Sequence, residues 1–363
     1  MAACCKYRGD RLLSQPVASR ALRAFSNAPR FAPASKTLKR ASGASHLNGV
    51  AVLATGDTHR DLSPSEGSTM STGTNDLRVP IAIIGGSGLY ELDGLKVIEE
   101  RTIETPFGMP SAPILIGELD GRRVAFLPRH GKNHEYNPST VPYRANIWAL
   151  KSLGVFWVVT VSAVGSLKEA IVPGHVVIPD NIIDKTYRRA NTLFDELAVH
   201  VNLTYPFDPM LREVLIECVK AEGVPCHTEG TYVCMEGPAF STRAESELHR
   251  SWGASLIGMT AMPEARLARE AELCYATIAL STDYDCWKDD DEVDVTNVMA
   301  IIKQNVANVR RILQRVIPAI PLEREEECEA GRALQFGIMT PAEAIPEDAR
   351  KKLGIFLDKY LDQ

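Results

Sequence analysis

The stretch Tyr275-Ala276-Thr277-Ile278-Ala279-Leu280-Ser281-Thr282-Asp283-Tyr284-Asp285-Cys286-Trp287-Lys288 constrains the chain more than any other. Its first half is apolar and carries no charge, which predicts a buried strand. It then delivers two carboxylates where the strand meets a loop. In open α/β sheets, ligands sit outside the carboxyl ends of the strands. In an extended chain, Asp283 and Asp285 would point to the same side. Crowded carboxylates have their pKa values pushed apart, so one of the two would hold a proton at neutral pH. Such a pair can protonate a leaving group. A cap and turn at a strand end is the other reading, because Asp often makes one. This stretch alone leaves both open.

Composition narrows the classes. The 363 residues suffice for one large domain or two small ones. Hydrophobic residues make up 45% and charged residues 24%, the balance of a water-soluble globular chain. A net charge of −6 gives no basic surface for nucleic acid. No apolar run reaches the length of a membrane span, and the nearest, Val155 to Val164, is broken by Thr160 and Ser162. Eight cysteines are scattered, with only Cys4 and Cys5 close in sequence. That spacing implies neither a zinc site nor a disulfide framework, but core thiols of a reducing compartment.

Residues 1–78 form a segment of their own. The first 50 carry Lys6, Arg8, Arg11, Arg20, Arg23, Arg30, Lys36, Lys39 and Arg40 against one acid, Asp10. Arg20 to Phe31 has the pattern of a short basic amphipathic helix. An organellar transit peptide and a disordered tail both fit this composition. Residues 61–76 are rich in Ser, Thr and Gly and predict a linker.

From Val79 the chain alternates strands and helices. Strands are predicted at Ile81 to Ile84, Val155 to Val161, His175 to Pro179, Thr231 to Met235 and Leu256 to Met259. Pro113 to Leu119 and Arg122 to Pro128 predict a hairpin about Asp120-Gly121. Helices are predicted over Val141 to Leu153, Pro209 to Glu222, Thr242 to Trp252, Pro263 to Leu273, Val295 to Val316 and Glu347 to Leu361. The acids Asp289 to Glu292 read as a solvated loop. The expected fold is α/β, a three-layer sandwich of a mixed central sheet flanked by helices, with residues 79–363 as a single domain. The hairpin argues against a purely parallel sheet.

Five further stretches carry chemistry. Gly85-Gly86-Ser87-Gly88 follows a strand, and its amides and Ser87 hydroxyl suit an anion, although a plain tight turn has the same composition. It is no dinucleotide fingerprint, since Glu91 stands where the third glycine belongs. Arg129-His130-Gly131 closes a strand with a planar fork and an imidazole that suit phosphate oxygens. In Thr160 to Ser166 an apolar strand ends in hydroxyls and a glycine. In Met235 to Glu245, Phe240 offers a face to a flat ligand and Ser241 a hydrogen bond to its edge. Ser241 with a downstream Glu is also capping-box-like. In Gly258 to Glu264, Met259 supplies a soft surface and Thr260 a hydroxyl.

These stretches, in this order, resemble the trimeric purine nucleoside phosphorylase and methylthioadenosine phosphorylase family over about Val79 to Pro321. The run from Arg129-His130-Gly131 to Ser162-Ala163-Val164-Gly165-Ser166-Leu167 carries the resemblance most specifically. It implies phosphate held by Ser87, Arg129, His130, Ser162, Ala163 and Thr260. It places Met259 against the ribose, and Asp283 and Asp285 facing the purine, with Phe240 near the base. Asp283 is implied as the group that donates or shares the proton. Asp283 with Ser241 is similar to the adenine-selective branch, where 6-oxopurine relatives carry Asn and Glu. Val295 and Met299 suit a methylthio group rather than a 5′-hydroxyl. The implied reaction is phosphorolysis of methylthioadenosine to adenine and methylthioribose 1-phosphate, serving methionine and purine salvage. Inorganic phosphate is the co-substrate, and no metal or organic cofactor is called for. A 6-oxopurine or methylthioinosine phosphorylase is the alternative enzyme, and a nucleoside-binding protein the alternative without catalysis. The resemblance further implies a homotrimer, no nucleic-acid or membrane partner, and a cytoplasmic and nuclear location. The basic leader points instead to mitochondrion or plastid.

Overall fold

The computed structural model describes residues 78–86, 88–288, 295–322 and 328–361, with backbone alone at 295–299. The basic leader, Ser87, the acids Asp289 to Glu292 and the side chains of Val295 and Met299 lie outside the described residues. In chain order the strands are β1 (Ile81–Gly85), β2 (Lys96–Arg101), β3 (Ile114–Leu119), β4 (Arg122–Pro128), β5 (Trp157–Ser166), β6 (Val176–Val177), β7 (Asn181–Lys185), β8 (Cys226–His227), β9 (Thr231–Met235), β10 (Leu256–Gly258) and β11 (Cys274–Asp283). The helices are α1 (Tyr143–Ser152), α2 (Pro209–Ala221), α3 (Arg243–Ser251), α4 (Ala261–Glu270), α5 (Val295–Ala319) and α6 (Glu347–Leu361).

Side-chain alternation along the strands builds the layers. Ala82 and Ile84 of β1 join one apolar cluster, while Ile81 and Ile83 join another. In β5, Val158 faces the first cluster, and Trp157 and Val159 face the second. In β11, Tyr275 and Ala279 oppose Ala276, Ile278 and Leu280 in the same way. Ile147 and Leu150 of α1, Ala265 and Ala268 of α4, and Leu353 and Phe356 of α6 complete the first cluster. Leu211 and Leu215 of α2, with Val309, Ile312 and Leu313 of α5, complete the second. Helices therefore cover both faces of one sheet, the three-layer α/β sandwich that the alternating pattern predicts.

The sheet is mixed. β1 runs parallel to β4 and β5, β5 parallel to β11, and β9 parallel to β7 and β10. β3 is antiparallel to β2 and β4, and β10 antiparallel to β5. The β3–β4 hairpin turns at Asp120 and Gly121, both at positive φ, as the Asp-Gly signal requires.

Several elements differ from expectation. β2, β7 and β8 are not among the predicted strands; β2 is an exposed edge with charged residues, and β8 has only two residues. The strand predicted at His175 to Pro179 shrinks to Val176–Val177. β5 continues to Ser166 instead of stopping at Val161, because β11 pairs with it along that length, so its hydroxyls lie within the strand. Regular helical backbone in α4 starts at Pro263, after an extended Met262, and ends at Glu270 rather than Leu273. α5 runs past Val316 and includes Pro318. Among the described residues, no helix is long and apolar enough to cross a membrane.

Candidate active site

β1 and β10 abut the same edge of β5. β1 pairs with Trp157 to Thr160, whereas β10 runs the other way and pairs with Gly165 and Ser166. Their carboxyl ends thus face each other across Val161 to Val164, which among the described residues have a strand neighbour only in β11. Such a switch point is where open α/β sheets bind ligands. A cavity of about 570 Å³ lies over it, within the range of small-molecule sites.

One end of the cavity is lined by Gly86, Arg129, His130, Ser162, Ala163 and Thr260. Ala163 is exposed within a largely buried strand, because it faces the cavity. Ser162 Oγ and Thr260 Oγ1 lie 3.1 Å apart and bring β5 and the start of α4 together. The Arg129 fork does not face the cavity with both arms. Its Nε and Nη2 donate to the two carboxylate oxygens of Glu264 at 2.7 and 2.8 Å, and Nη1 donates to Val161 O at 3.0 Å. Each terminal nitrogen keeps a second N–H for an anion. Burial works against the guanidinium charge, but Glu264 outweighs it and holds the pKa above its ordinary value. His130 Nδ1 lies 2.9 Å from Tyr136 O; a carbonyl can only accept, so Nδ1 carries the proton and Nε2 is left for a ligand. Burial lowers the pKa of this imidazole, and the Arg129 charge adds to the effect.

The opposite end holds the acids. A bulge between Ser281 and Asp283 shifts the β11 register and sets Asp283 opposite Gly165. A Cβ on Gly165 would lie 3.1 Å from Asp283 Oδ1, so the carboxylate packs closely on the bare backbone there. Asp283 Oδ2 accepts from Thr282 Oγ1 at 2.6 Å, and Oδ1 accepts from the Asp285 amide at 2.7 Å. The two acids do not share a side through an extended chain. Asp285 has φ +54°, and the pair forms a turn closed by the Asp283 side chain. The turn reading and the paired-acid reading therefore describe the same residues, since both carboxylates line the cavity. Burial pushes the Asp285 carboxyl up, the Ser246 and Ser241 hydroxyls oppose this, and the Asp283 charge adds to it. Asp285 Oδ2 is buried with no hydrogen-bond partner.

Between these ends, Met259 and Phe240 line the cavity, Phe240 being 83% exposed. Ser241 does not line it, and its Oγ sits 3.8 Å from Met235 Sδ. Nor does Ser241 cap α3; Thr242 does, in a capping box with Glu245. Ile302, Val306 and Val309 of α5 make an apolar wall. Asn305, in the same stretch, spends its amide on Ser281 O at 3.0 Å and pins α5 to the β11 bulge.

Behind Met259, the buried Arg189 guanidinium donates to the carbonyls of Met235, Glu236, Met259 and Met262. Its Nε pairs with Glu236 at 3.2 Å. Burial opposes ionisation of Glu236, yet bonds from Ser139 and from the Tyr187 and Arg188 amides, with the Arg189 charge, bring its pKa to about 2. Gly237 at φ +66° belongs to this frame: a Cβ there would meet Met259 Sδ at 2.5 Å.

Residues 80–318 match the Phosphorylase superfamily. The chain belongs to that superfamily. It is 50% identical over 284 residues to a Geobacter sulfurreducens protein named S-methyl-5′-thioadenosine phosphorylase, covering 77% of this chain and 99% of the relative. It is 47% identical over 289 residues to the Synechocystis protein of the same name, covering 78% and 88%. A methylthioadenosine phosphorylase structure sourced from an antarctic soil metagenomic library superposes with TM-score 0.75 at 45% identity, over 77% of this chain and 99% of that one. Methylthioadenosine phosphorylase from Schistosoma mansoni, in complex with adenine, gives TM-score 0.68 at 36% identity over 72% and 99%.

Within this member of the superfamily, sequence reasoning did not single out Glu264, Asn305 or Arg189. Glu264 closes the Gly258 to Glu264 stretch, and a lone acid there carries no signal until Arg129 is known to reach it. Asn305 offers only a polar residue on the apolar side of a helix. Arg189 lies outside every recognised motif. Glu264→Gln is expected to destabilise the fold by about 3–5 kcal/mol, since Arg129 would stay charged and buried without its counter-charge, read as a lower urea midpoint. Glu236 ionises far more readily folded than unfolded, so its contribution is present above pH 4.5 and fades as pH falls toward 2. The difference in unfolding free energy between wild type and Glu236→Gln should therefore narrow over that window.

Proposed function

We propose that the protein cleaves S-methyl-5′-thioadenosine by phosphorolysis, releasing adenine and S-methyl-5-thio-α-D-ribose 1-phosphate. The observation that carries this reading is the cavity itself, with one end lined by N–H and O–H donors, a paired-acid end and an apolar wall between. The relatives named for this activity support the choice of substrate.

In this scheme phosphate lies against the Ser162 and Thr260 hydroxyls, the outer N–H groups of Arg129 and His130 Nε2, with Gly86 on its other side. A phosphate oxygen attacks the anomeric carbon as the bond to the purine breaks. The bonding electrons leave with the base, and the transition state is oxocarbenium-like. The phosphate charge beside the sugar stabilises the developing cation. The purine then takes a proton on its five-membered ring. Asp283 donates or shares it, with Asp285, whose carboxyl burial pushes up, beside it. An Asp283 carboxylate also accepts from a 6-amino group, which favours adenine. Ile302 and Val306 would seat the methylthio group, because burying a hydroxyl there without a partner is unfavourable. No step calls on a metal or organic cofactor.

Purified protein should release adenine from methylthioadenosine only with phosphate present, and should turn over inosine poorly. Release that ignores phosphate, or a preference for inosine, would overturn the proposal. Asp283→Asn should lower kcat on methylthioadenosine by about 10²–10⁴-fold and raise the relative rate on inosine. A homotrimer and a cytoplasmic location complete the reading. Light scattering at three chain masses, and a diffuse signal from a reporter fused to residues 1–78, would bear them out; a mitochondrial or plastid signal would make the leader a transit peptide.

A further inference from the structure

Cys274 opens β11, at the end of the strand remote from Asp283. Cys328 precedes the short turn Ala330–Arg332, on the way to α6. The two are 54 positions apart, yet their sulfurs lie 3.1 Å from each other. Cys328 Sγ also donates to Asp208 Oδ2 at 3.6 Å, while Asp208 Oδ1 caps α2 by accepting from the Leu211 amide at 2.9 Å. Cys274 is wholly buried and Cys328 partly exposed. None of the three lines the active-site cavity.

Such a cluster could hold a metal ion or close a disulfide. Two thiolates on one tetrahedral zinc, each at about 2.3 Å, sit about 3.8 Å apart. The observed separation is well below that, and Asp208 is already committed to a helix cap. A disulfide asks the sulfurs to close by only about 1 Å. We propose that Cys274 and Cys328 form a dithiol site that reacts with a disulfide oxidant, such as oxidised glutathione, and becomes a Cys274–Cys328 disulfide.

The step balances without any further reactant. The sulfur of Cys328, the partly exposed member of the pair, attacks one sulfur of the oxidant, whose S–S bond breaks, and the first small thiol leaves with the proton from Cys328. Cys274 then attacks the Cys328 sulfur of the mixed disulfide, and the second small thiol leaves with the proton from Cys274. Two protein thiols are oxidised and one disulfide is reduced to two thiols.

The bond closes a ring from 274 to 328 that contains Asp283, Asp285 and the cavity-lining face of α5. Closing a ring of that size restricts the unfolded chain and should raise Tm by about 5–10 °C. The cavity itself is untouched, so kcat should not change.

The full chain is incubated with oxidised glutathione or with dithiothreitol, alkylated, digested without reduction and mapped by mass spectrometry, with Tm measured in parallel. The expected result is a linked Cys274–Cys328 peptide with no retained glutathione, and a Tm rise that Cys328→Ser abolishes while activity under reducing conditions persists. A stable glutathione adduct on Cys328 with Cys274 still alkylated would overturn the proposal. So would stoichiometric zinc in the wild type that is missing from Cys328→Ser, which would make the cluster a metal site. The peptide map decides the matter even if Cys328→Ser folds poorly.

Discussion

A guanidinium and a carboxylate, only 3% and 1% exposed, meet beneath the active-site cavity. Taking both from water costs several kcal/mol, recovered only where the geometry is good and the remaining polar atoms are satisfied. Arg129 and Glu264 meet both conditions. Their contact is bidentate, the Tyr275 hydroxyl donates to the same carboxylate at 2.9 Å, and a third arm of the arginine reaches Val161 O. Four separate elements are thereby joined: the end of β4, the edge of β5 that has no strand neighbour among the described residues, α4 and β11. Arg129, β5, β11 and the Thr260 cap of α4 all line the cavity, so the pair acts as a girder for the site.

That girder also sets the electrostatics. With Glu264 opposite it, Arg129 offers the cavity directed N–H groups more than a bare charge, and His130 is held in one tautomer by Tyr136. An anion entering there meets donors whose directions are already set, so little reorganisation is needed when charge develops. At the other end, an unpartnered oxygen of Asp285 is buried beside Asp283. Burial there raises the carboxyl's pKa, the reverse of Glu236, where four hydrogen-bond or charge partners overcome burial. Two buried acids on one scaffold are thus driven in opposite directions by what surrounds them.

Local pattern made much of the fold legible. Uncharged apolar runs predicted β1, β5, β9, β10 and β11, because burial on both faces of a sheet demands such runs. Asp120-Gly121 marked the hairpin, and Pro and Gly bracketed α2. The edge strand β2 escaped, since it is rich in Lys, Glu and Arg, lies largely exposed, and has β3 as its one strand partner among the described residues. β5 looked as though it ended at Val161; its polar residues are carried on as strand by β11 alongside.

The sequence by itself determined the ligand chemistry on offer. Hydroxyls, glycines, Arg129, His130 and the acids are written at strand ends, and a buried strand must end somewhere a ligand can reach. Only the tertiary structure decided how those groups are used. It turned the Arg129 fork toward Glu264, gave Asp285 a left-handed backbone, moved the α3 cap from Ser241 to Thr242, and laid Cys274 beside Cys328. Each of these outcomes depends on a partner far away in the chain or on a backbone angle set by packing, and neither is encoded in the spacing of neighbouring residues.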